Sequence, residues 1–286
     1  MNKIRNKLKR STRLKSALRK SKKESFKKPH NKIVGRKYLI VGNWKSAPET
    51  IIEARKNFRI IKSKKIDARK IIPVICPPLL FLVDLSKKYT GKVYKFATQN
   101  FYLNDGVPHT GETTLDQLVD LKVEYAIIGH AERREIGETN SLVAEKVKHS
   151  LDKNITPILC IGEKERDLKG EYLKFLEEQL IESLAKVQKS SLNKIVIAYE
   201  PVWAIGGNKS VGHEDIYTIN IFIKKTLSSI YGRKEAFEVP ILYGGSVDAE
   251  NCNQILKSGK IDGLLIGRAS SNPYSFSDVL KEVAKI

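Results

Sequence analysis

The sequence lacks any long uninterrupted apolar run. Its longest nearly apolar stretch, 71–83, has 13 residues and is broken by three prolines, so it is too short to cross the roughly 30 Å hydrocarbon core of a bilayer. Cysteine is scarce: Cys76, Cys160 and Cys252 lie far apart without a CxxC pair, which indicates neither a disulfide framework nor a structural zinc site. We therefore expect no transmembrane segment and a reducing compartment.

Acidic residues are almost missing from the first 37 positions. Residues 1–37 contain 16 Lys or Arg and one acid, Glu24, whereas the remaining 249 residues contain 36 bases and 31 acids. The formal charge of +20 therefore belongs mainly to a basic N-terminal extension, and the body, 38–286, is nearly balanced. This distribution does not indicate that the body itself binds nucleic acid.

The extension is rich in Lys, Ser and Asn and has no apolar segment for secretion. We expect it to be disordered or loosely helical and solvated. Leu8, Leu14 and Leu18 recur at roughly helical spacing, so an amphipathic helix on an anionic surface is an alternative. Nonspecific contact with RNA or acidic lipid and an organelle transit role stay open. The expected location is the cytoplasm, with organelle targeting as the alternative.

From residue 38 onward, short β-branched runs alternate with longer segments of helical period, which is typical of βαβ units. The predicted strands are Tyr38–Asn43, Ile71–Cys76, Val93–Thr98, Tyr125–Gly129, Thr156–Ile161, Lys194–Tyr199, Val239–Gly244 and Asp262–Ile266. The predicted helices are Glu49–Ile61, Leu79–Lys88, Thr113–Leu121, Ser141–Leu151, Leu168–Ser190, His213–Tyr231, Asp248–Leu256 and Asn272–Lys285. Eight repeats in this length favour a closed (β/α)₈ barrel in one domain over an open doubly wound sheet.

A carboxylate stands at the end of the sixth predicted strand. Glu200 is followed by a segment with a proline at its start and glycines at its tip, a pattern that predicts a general base beneath a mobile lid. An exposed strand end leading into an ordinary turn is the alternative. The proposed lid residues are Pro201, Val202, Trp203, Ala204, Ile205, Gly206, Gly207, Asn208 and Lys209.

Other polar residues follow other strands, and the C-terminal strand ends of such a barrel meet at one rim. His130 at the end of the fourth strand could polarise a carbonyl as a neutral ring, because backbone N–H groups at a helix start favour that form. Lys45, two residues after Asn43, could attract an anionic substrate. The alternatives are a structural histidine and a surface lysine.

Glycine-rich ends follow the last two strands, at 244–246 and at Gly267. Barrels commonly present backbone N–H groups to a phosphate there. Simple turn glycines are the alternative.

Together these segments resemble the triosephosphate isomerase family. The resemblance covers 38–286 and is carried by Gly42-Asn43-Trp44-Lys45, Ile127 to Arg134 (IIGHAERR), Tyr199 to Gly206 (YEPVWAIG) and Tyr243 to Val247 (YGGSV). It implies interconversion of dihydroxyacetone phosphate and glyceraldehyde 3-phosphate through an enediolate, in glycolysis and gluconeogenesis, with neither metal nor cofactor.

The resemblance also implies residue roles. Glu200 would be the base, His130 the electrophile and proton relay, and Glu132 a supporting carboxylate. Asn43 and Lys45 would contact substrate oxygens. Phosphate would be bound by Gly206, Ser246 and Gly267; the backbone N–H of Arg268 could also bind it if the Arg268 side chain points away, and the added charge could help. When the lid closes, Ile205 and Leu265 would press on Glu200 and raise its basicity by removing water.

The chain departs from the family pattern at a few positions. Ala131 replaces the usual serine, Ser46-Ala47 replaces Met-Asn, and Arg268 replaces a second glycine. If the backbone at position 268 needs a positive φ, Arg268 would be strained. Of the properties that the resemblance implies, phosphate affinity is therefore the one that this substitution affects most.

Two further expectations concern partners and alternatives. The resemblance implies a homodimer in which the loop Gln99–Glu112, with an apolar tip at 107–109, inserts beside the partner subunit's Asn43 and the partner subunit's Lys45.

The competing functions are another phosphosugar isomerase or aldolase on a similar barrel, and a nucleic-acid-binding or scaffold protein that has lost catalysis. The predicted strands contain no interior lysine for a Schiff-base aldolase, and the intact Lys, His and Glu set argues against lost activity.

Overall fold

The computed structural model describes residues 37–103, 106–167, 169–204 and 212–286. Except for Lys37, the predictions made for the N-terminal extension lie outside these residues. Within them, eight parallel strands close into a barrel in chain order, which confirms the predicted (β/α)₈ fold. The strands are β1 (Tyr38–Asn43), β2 (Ile71–Cys76), β3 (Lys95–Thr98), β4 (Val123–Ile128), β5 (Thr156–Ile161), β6 (Val196–Tyr199), β7 (Ile241–Tyr243) and β8 (Gly263–Ile266).

Helices follow the strands and cover the outside of the barrel. They are α1 (Ile51–Ser63), α2 (Leu79–Lys88), α3 (Leu115–Val119), α4 (Ala131–Glu135), α5 (Asn140–Asp152), α6 (Glu171–Ser183), α7 (His213–Tyr231), α8 (Arg233–Glu238), α9 (Cys252–Gly259), α10 (Arg268–Ser271) and α11 (Pro273–Val283), with 3₁₀ turns at Lys189–Lys194 and Val202–Ala204. No helix in the described part of the chain is long and apolar enough to cross a membrane.

The strands are buried on both faces, as expected when helices cover a parallel sheet. In β1, Leu39 and Val41 belong to the apolar cluster inside the barrel, whereas Ile40 belongs to the larger cluster between sheet and helices. This alternation follows from the two-residue period of a strand. The polar residue that ends β1, Asn43, is thereby placed at the rim.

Several predicted bounds differ from the observed ones. β3 begins at Lys95 rather than at Val93, because the Val93 and Tyr94 amides donate to the hydroxyl of Tyr89 at 3.2 and 3.1 Å instead of to a neighbouring strand. The helix predicted over 168–190 is shorter, α6, and a separate 3₁₀ turn follows it. The side chain of Asp167 accepts hydrogen bonds from the amides of Glu171 and Tyr172, which fixes where α6 begins.

Closure of the barrel requires a glycine in β8. Gly263 pairs with Leu39 of β1, and a Cβ atom at position 263 would lie 2.0 Å from the Leu39 carbonyl oxygen and 2.8 Å from a methyl of Leu242. The seam between the first and last strands therefore leaves no space for a side chain.

We predict that Gly263→Ala separates β1 from β8 and lowers the free energy of unfolding by about 3 kcal/mol, the upper end of the usual overpacking cost. Urea unfolding followed by circular dichroism measures this change. A loss below about 0.5 kcal/mol would contradict the tight seam, since ordinary surface substitutions already cause changes of that size.

Candidate active site

The rim at the carboxyl ends of the strands surrounds a cavity of about 880 Å³. Asn43 ends β1, His130 follows β4 by two residues, and Glu200 directly follows β6. Together with Lys45, these residues line the one cavity. The structure thus brings together side chains that are far apart in sequence, and the predicted convergence of Lys45, His130 and Glu200 is confirmed.

The carboxylate of Glu200 faces the imidazole of His130. Oε1 of Glu200 lies 3.4 Å from Nε2 of His130, and the two side chains are only 7% and 6% exposed. The second oxygen, Oε2, is buried and has no nitrogen or oxygen hydrogen-bond partner among the described residues. A desolvated carboxylate oxygen without such a partner remains available to accept a proton from a bound molecule.

The environment of His130 sets its tautomer. His130 caps the N-terminus of α4, and its Nδ1 accepts a hydrogen bond from the amide of Glu132 at 3.2 Å. The Glu132 carboxylate is farther from Nδ1, at 3.7 Å, and is paired with Lys45. Because Nδ1 is an acceptor, a neutral ring carries its proton on Nε2, the nitrogen that faces Glu200. The predicted helix start beside His130 is confirmed.

Two glycines make room for Glu200. A Cβ atom at Gly162 would lie 1.8 Å from the Glu200 carbonyl oxygen, and one at Gly244 would lie 2.6 Å from its Cγ and 3.0 Å from its Oε1. Gly244 follows β7 and Gly162 follows β5, so β6 ends between two positions that lack side chains. A side chain at either position would displace Glu200 from its observed place.

A thiol lies behind the same carboxylate. Cys160 of β5 is fully buried, and burial, followed by the negative charge of Glu200, raises the pKa of its thiol well above the ordinary value. The thiol therefore stays protonated and adds no second negative charge next to Glu200.

Lys45 adopts a left-handed backbone conformation, with φ of 53°, which is uncommon for a residue with a side chain. Its amide donates to Oδ1 of Asn43 at 3.0 Å. The side-chain amide of Gln99 donates to the Lys45 carbonyl at 2.8 Å and to the Cys76 carbonyl at 3.1 Å. Contacts on both sides therefore hold a strained conformation, as is common at functional sites.

The Lys45 ammonium pairs with the carboxylate of Glu132. The sequence predicted Lys45 and Glu132 as separate contributors, and the structure shows that they form one ion pair across the mouth of the barrel. The sequence places Gln99 among the polar strand ends expected at this rim and at the start of the loop Gln99–Glu112, but it predicts no role for Gln99 in positioning Lys45.

The residues expected to bind phosphate line the same cavity. Ser246, Gly267 and Arg268 all do so. Gly267 precedes α10, and Arg268 is the first residue of that helix. The structure gives positive φ to Lys45, Lys122, Asn154 and Lys260 among the described non-glycine residues, and not to Arg268. The backbone strain considered for Arg268 is therefore absent.

The described part of the proposed lid is anchored to the barrel. Val202–Ala204 form a 3₁₀ turn, in which the Val202 amide donates to the Glu163 carbonyl at 2.9 Å. The indole of Trp203 and the hydroxyl of Tyr199 both donate to Oε1 of Glu163 at 2.9 Å. The predictions for Ile205, Gly206, Gly207, Asn208 and Lys209 lie outside the described residues, and so does the expected contact of Ile205 with Glu200.

Within the described ranges, no group of three or more His, Cys, Asp or Glu residues is arranged to hold a metal ion.

Comparison with known proteins agrees with this geometry. The family model of triosephosphate isomerase matches residues 38–283, a range that includes all eight strands. The chain belongs to the triosephosphate isomerase family. The triosephosphate isomerase of Dictyoglomus turgidum is 37% identical over 250 residues, which cover 86% of this chain and 99% of that protein.

Triosephosphate isomerases from other organisms are similar to this chain to a comparable degree. The protein from Alkaliphilus oremlandii is 35% identical over 248 residues, covering 86% of this chain and 99% of its own length. The protein from Coprinopsis cinerea is 36% identical over 248 residues, covering 86% of this chain and 97% of its own length. The triosephosphate isomerase family thus accounts for the barrel and leaves the basic extension unmatched.

We predict that Gln99→Leu lowers kcat/KM by about tenfold, because the Lys45 carbonyl loses the Gln99 donor and the Lys45 backbone relaxes, whereas the Cys76 carbonyl keeps the Trp44 amide as a donor. Steady-state kinetics of the isomerisation test this, with Gln254→Leu, at an exposed position of α9, as the matched control. Equal kcat/KM in the two variants would show that Gln99 does not position Lys45.

Proposed function

We infer that this chain is an isomerase that interconverts dihydroxyacetone phosphate and glyceraldehyde 3-phosphate, in glycolysis and gluconeogenesis. The observation that carries this function is the approach of Glu200 to His130 at 3.4 Å in the cavity that also contains Lys45. The family match over 38–283 supports the same reaction.

We propose that Glu200 removes a proton from the carbon next to the substrate carbonyl. His130, with its proton on Nε2, donates a hydrogen bond to the carbonyl oxygen. The negative charge that develops on this oxygen is therefore stabilised by a donor that is already positioned before the reaction. The same ring then transfers a proton between the two oxygens of the enediolate. A neutral histidine paired with a glutamate base is the arrangement known for this family.

The remaining residues act on charge and orientation. Lys45 attracts the anionic substrate and, with Asn43, stabilises the enediolate oxygens, while Glu132 holds the ammonium in place. Ser246, Gly267 and Arg268 bind the phosphate together with Gly206 of the lid. Closure of the lid, 201–209, excludes water from the reacting carbons.

A coupled assay with glyceraldehyde 3-phosphate tests the function directly. We predict that Glu200→Gln lowers kcat by at least about 10²- to 10³-fold, the usual contribution of a general base. Glu178→Gln, at a side chain that is 58% exposed on α6, is the matched control and should keep full activity. Equal rates for wild type and Glu200→Gln would refute the assignment.

We also propose a homodimer. Exposed apolar side chains follow three consecutive strands: Leu80 after β2 is 84% exposed, Val107 after β3 is 60% exposed, and Ile136 after β4 is 71% exposed. Neighbouring segments at one rim that all present apolar groups are typical of an interaction surface. In the proposed dimer the loop Gln99–Glu112 lies beside the partner subunit's Asn43 and the partner subunit's Lys45.

We predict that Leu80→Asp produces a folded monomer, because a charge replaces an apolar group that the partner would bury. Sedimentation velocity at micromolar concentration measures the state, with Ile230→Asp as the control, since Ile230 is 44% exposed in the last turn of α7. A dimer in both variants would place the interface elsewhere.

We propose that the chain comprises the extension 1–37 and the barrel 38–286 and that it works in the cytoplasm. The sixteen basic residues of the extension support an additional, salt-dependent contact with nucleic acid or another anionic surface. Organelle targeting by the same segment is the alternative. Deletion of 1–37 should leave isomerase activity intact and abolish any such contact.

A further inference from the structure

Arg268 brings a charged side chain to the phosphate end of the cavity, where the family resemblance leads us to expect glycine. It directly follows Gly267, begins α10 and is exposed. It lines the same cavity as Lys45 and Glu200. Because its backbone is free of positive-φ strain, the side chain is an addition to the site rather than a distortion of it.

A second cationic residue lies next to this position. A Cβ atom at Gly267 would lie 3.4 Å from Cε and 4.0 Å from Nζ of Lys45, so the backbone that carries Arg268 packs against the lysine side chain. Because the Lys45 ammonium is paired with Glu132, a cationic side chain at position 268 adds positive charge that attracts an anion to this end of the cavity.

Among the described residues, the carboxylates in or beside the cavity are those of Glu132, Asp248 and Glu200. Glu132 pairs with Lys45. Asp248, which lines the cavity, accepts hydrogen bonds from the amides of Glu250 and Asn251, both at 2.9 Å. Glu200 faces His130 on the other side of the cavity.

We propose that the guanidinium of Arg268 binds the substrate phosphate and makes this isomerase select the dianion over the monoanion. This inference rests on the proposed function. A guanidinium can form two parallel hydrogen bonds to phosphate oxygens, and such bonds are strongest when both partners carry full charge. A phosphate monoester gains its second negative charge near pH 6, so the selection acts close to neutral pH.

The test uses the full-length chain and the variants Arg268→Met and Arg268→Lys. In Arg268→Met we expect KM for glyceraldehyde 3-phosphate and the inhibition constant of inorganic phosphate both to rise about 5- to 20-fold. We expect kcat to change by less than about twofold, because the lost charge-assisted hydrogen bond is made equally to the bound substrate and to the transition state. Both constants of Arg268→Lys should lie between those of wild type and Arg268→Met, because an ammonium keeps the positive charge but cannot form the two parallel hydrogen bonds of a guanidinium.

The pH dependence separates this role from a merely structural one. On lowering the pH from about 7.5 to about 5.5, KM should rise more steeply in wild type than in Arg268→Met, since only wild type gains the full benefit of the dianion. Arg69→Met is the matched control: Arg69 lies just before β2, on the opposite rim, and its side chain is 91% exposed. It should match wild type throughout.

An unchanged KM and an unchanged phosphate inhibition constant in Arg268→Met would overturn the inference, as would identical pH profiles. Titration calorimetry with inorganic phosphate measures the same difference without turnover. A failure of the isomerase assignment therefore shows in the Glu200→Gln assay, whereas a failure of the Arg268 assignment shows in phosphate affinity.

Discussion

A carboxylate and an imidazole face each other at 3.4 Å at the mouth of the barrel, and each is held there by the backbone around it. The end of β6 runs between Gly162 and Gly244, where a Cβ atom would collide with Glu200, so both positions must lack a side chain for Glu200 to lie as it does. The start of α4 donates an amide hydrogen to Nδ1 of His130. The proposed chemistry depends on this pair. A displaced Glu200 could not reach the carbon next to the substrate carbonyl, and a His130 ring without a proton on Nε2 could not donate a hydrogen bond to the carbonyl oxygen.

The charged part of the site is arranged around the same pair. Lys45 reaches the cavity from a left-handed backbone, which Asn43 and Gln99 hold through two hydrogen bonds, while a third ties Gln99 to the Cys76 carbonyl. Strain of this kind persists only where the surroundings fix it. The ammonium is balanced by Glu132, the residue whose amide also orients His130, so a single short helix, α4, links the cation to the imidazole.

Much of this arrangement follows from local sequence pattern. β1, β2 and β5 have the predicted bounds because each is a β-branched run with clear ends, and the polar residues after β1, β4 and β6 meet because parallel strands share a rim. Contacts made through space could not be read in this way. The fit of Gly162 and Gly244 around Glu200 depends on residues that follow three different strands, and the Tyr89 hydroxyl that delays β3 comes from the end of α2. The Asp167 side chain that starts α6 is a local signal, four residues before Glu171, which the helical period alone did not separate from the helix.

The proton position on His130 is the most direct test of this account. Nitrogen-15 chemical shifts of histidine-labelled protein at neutral pH distinguish the two neutral tautomers from the imidazolium. We predict a neutral His130 ring with its proton on Nε2, because Nδ1 accepts the Glu132 amide. A ring protonated on Nδ1, or on both nitrogens, would contradict the geometry from which the mechanism is derived.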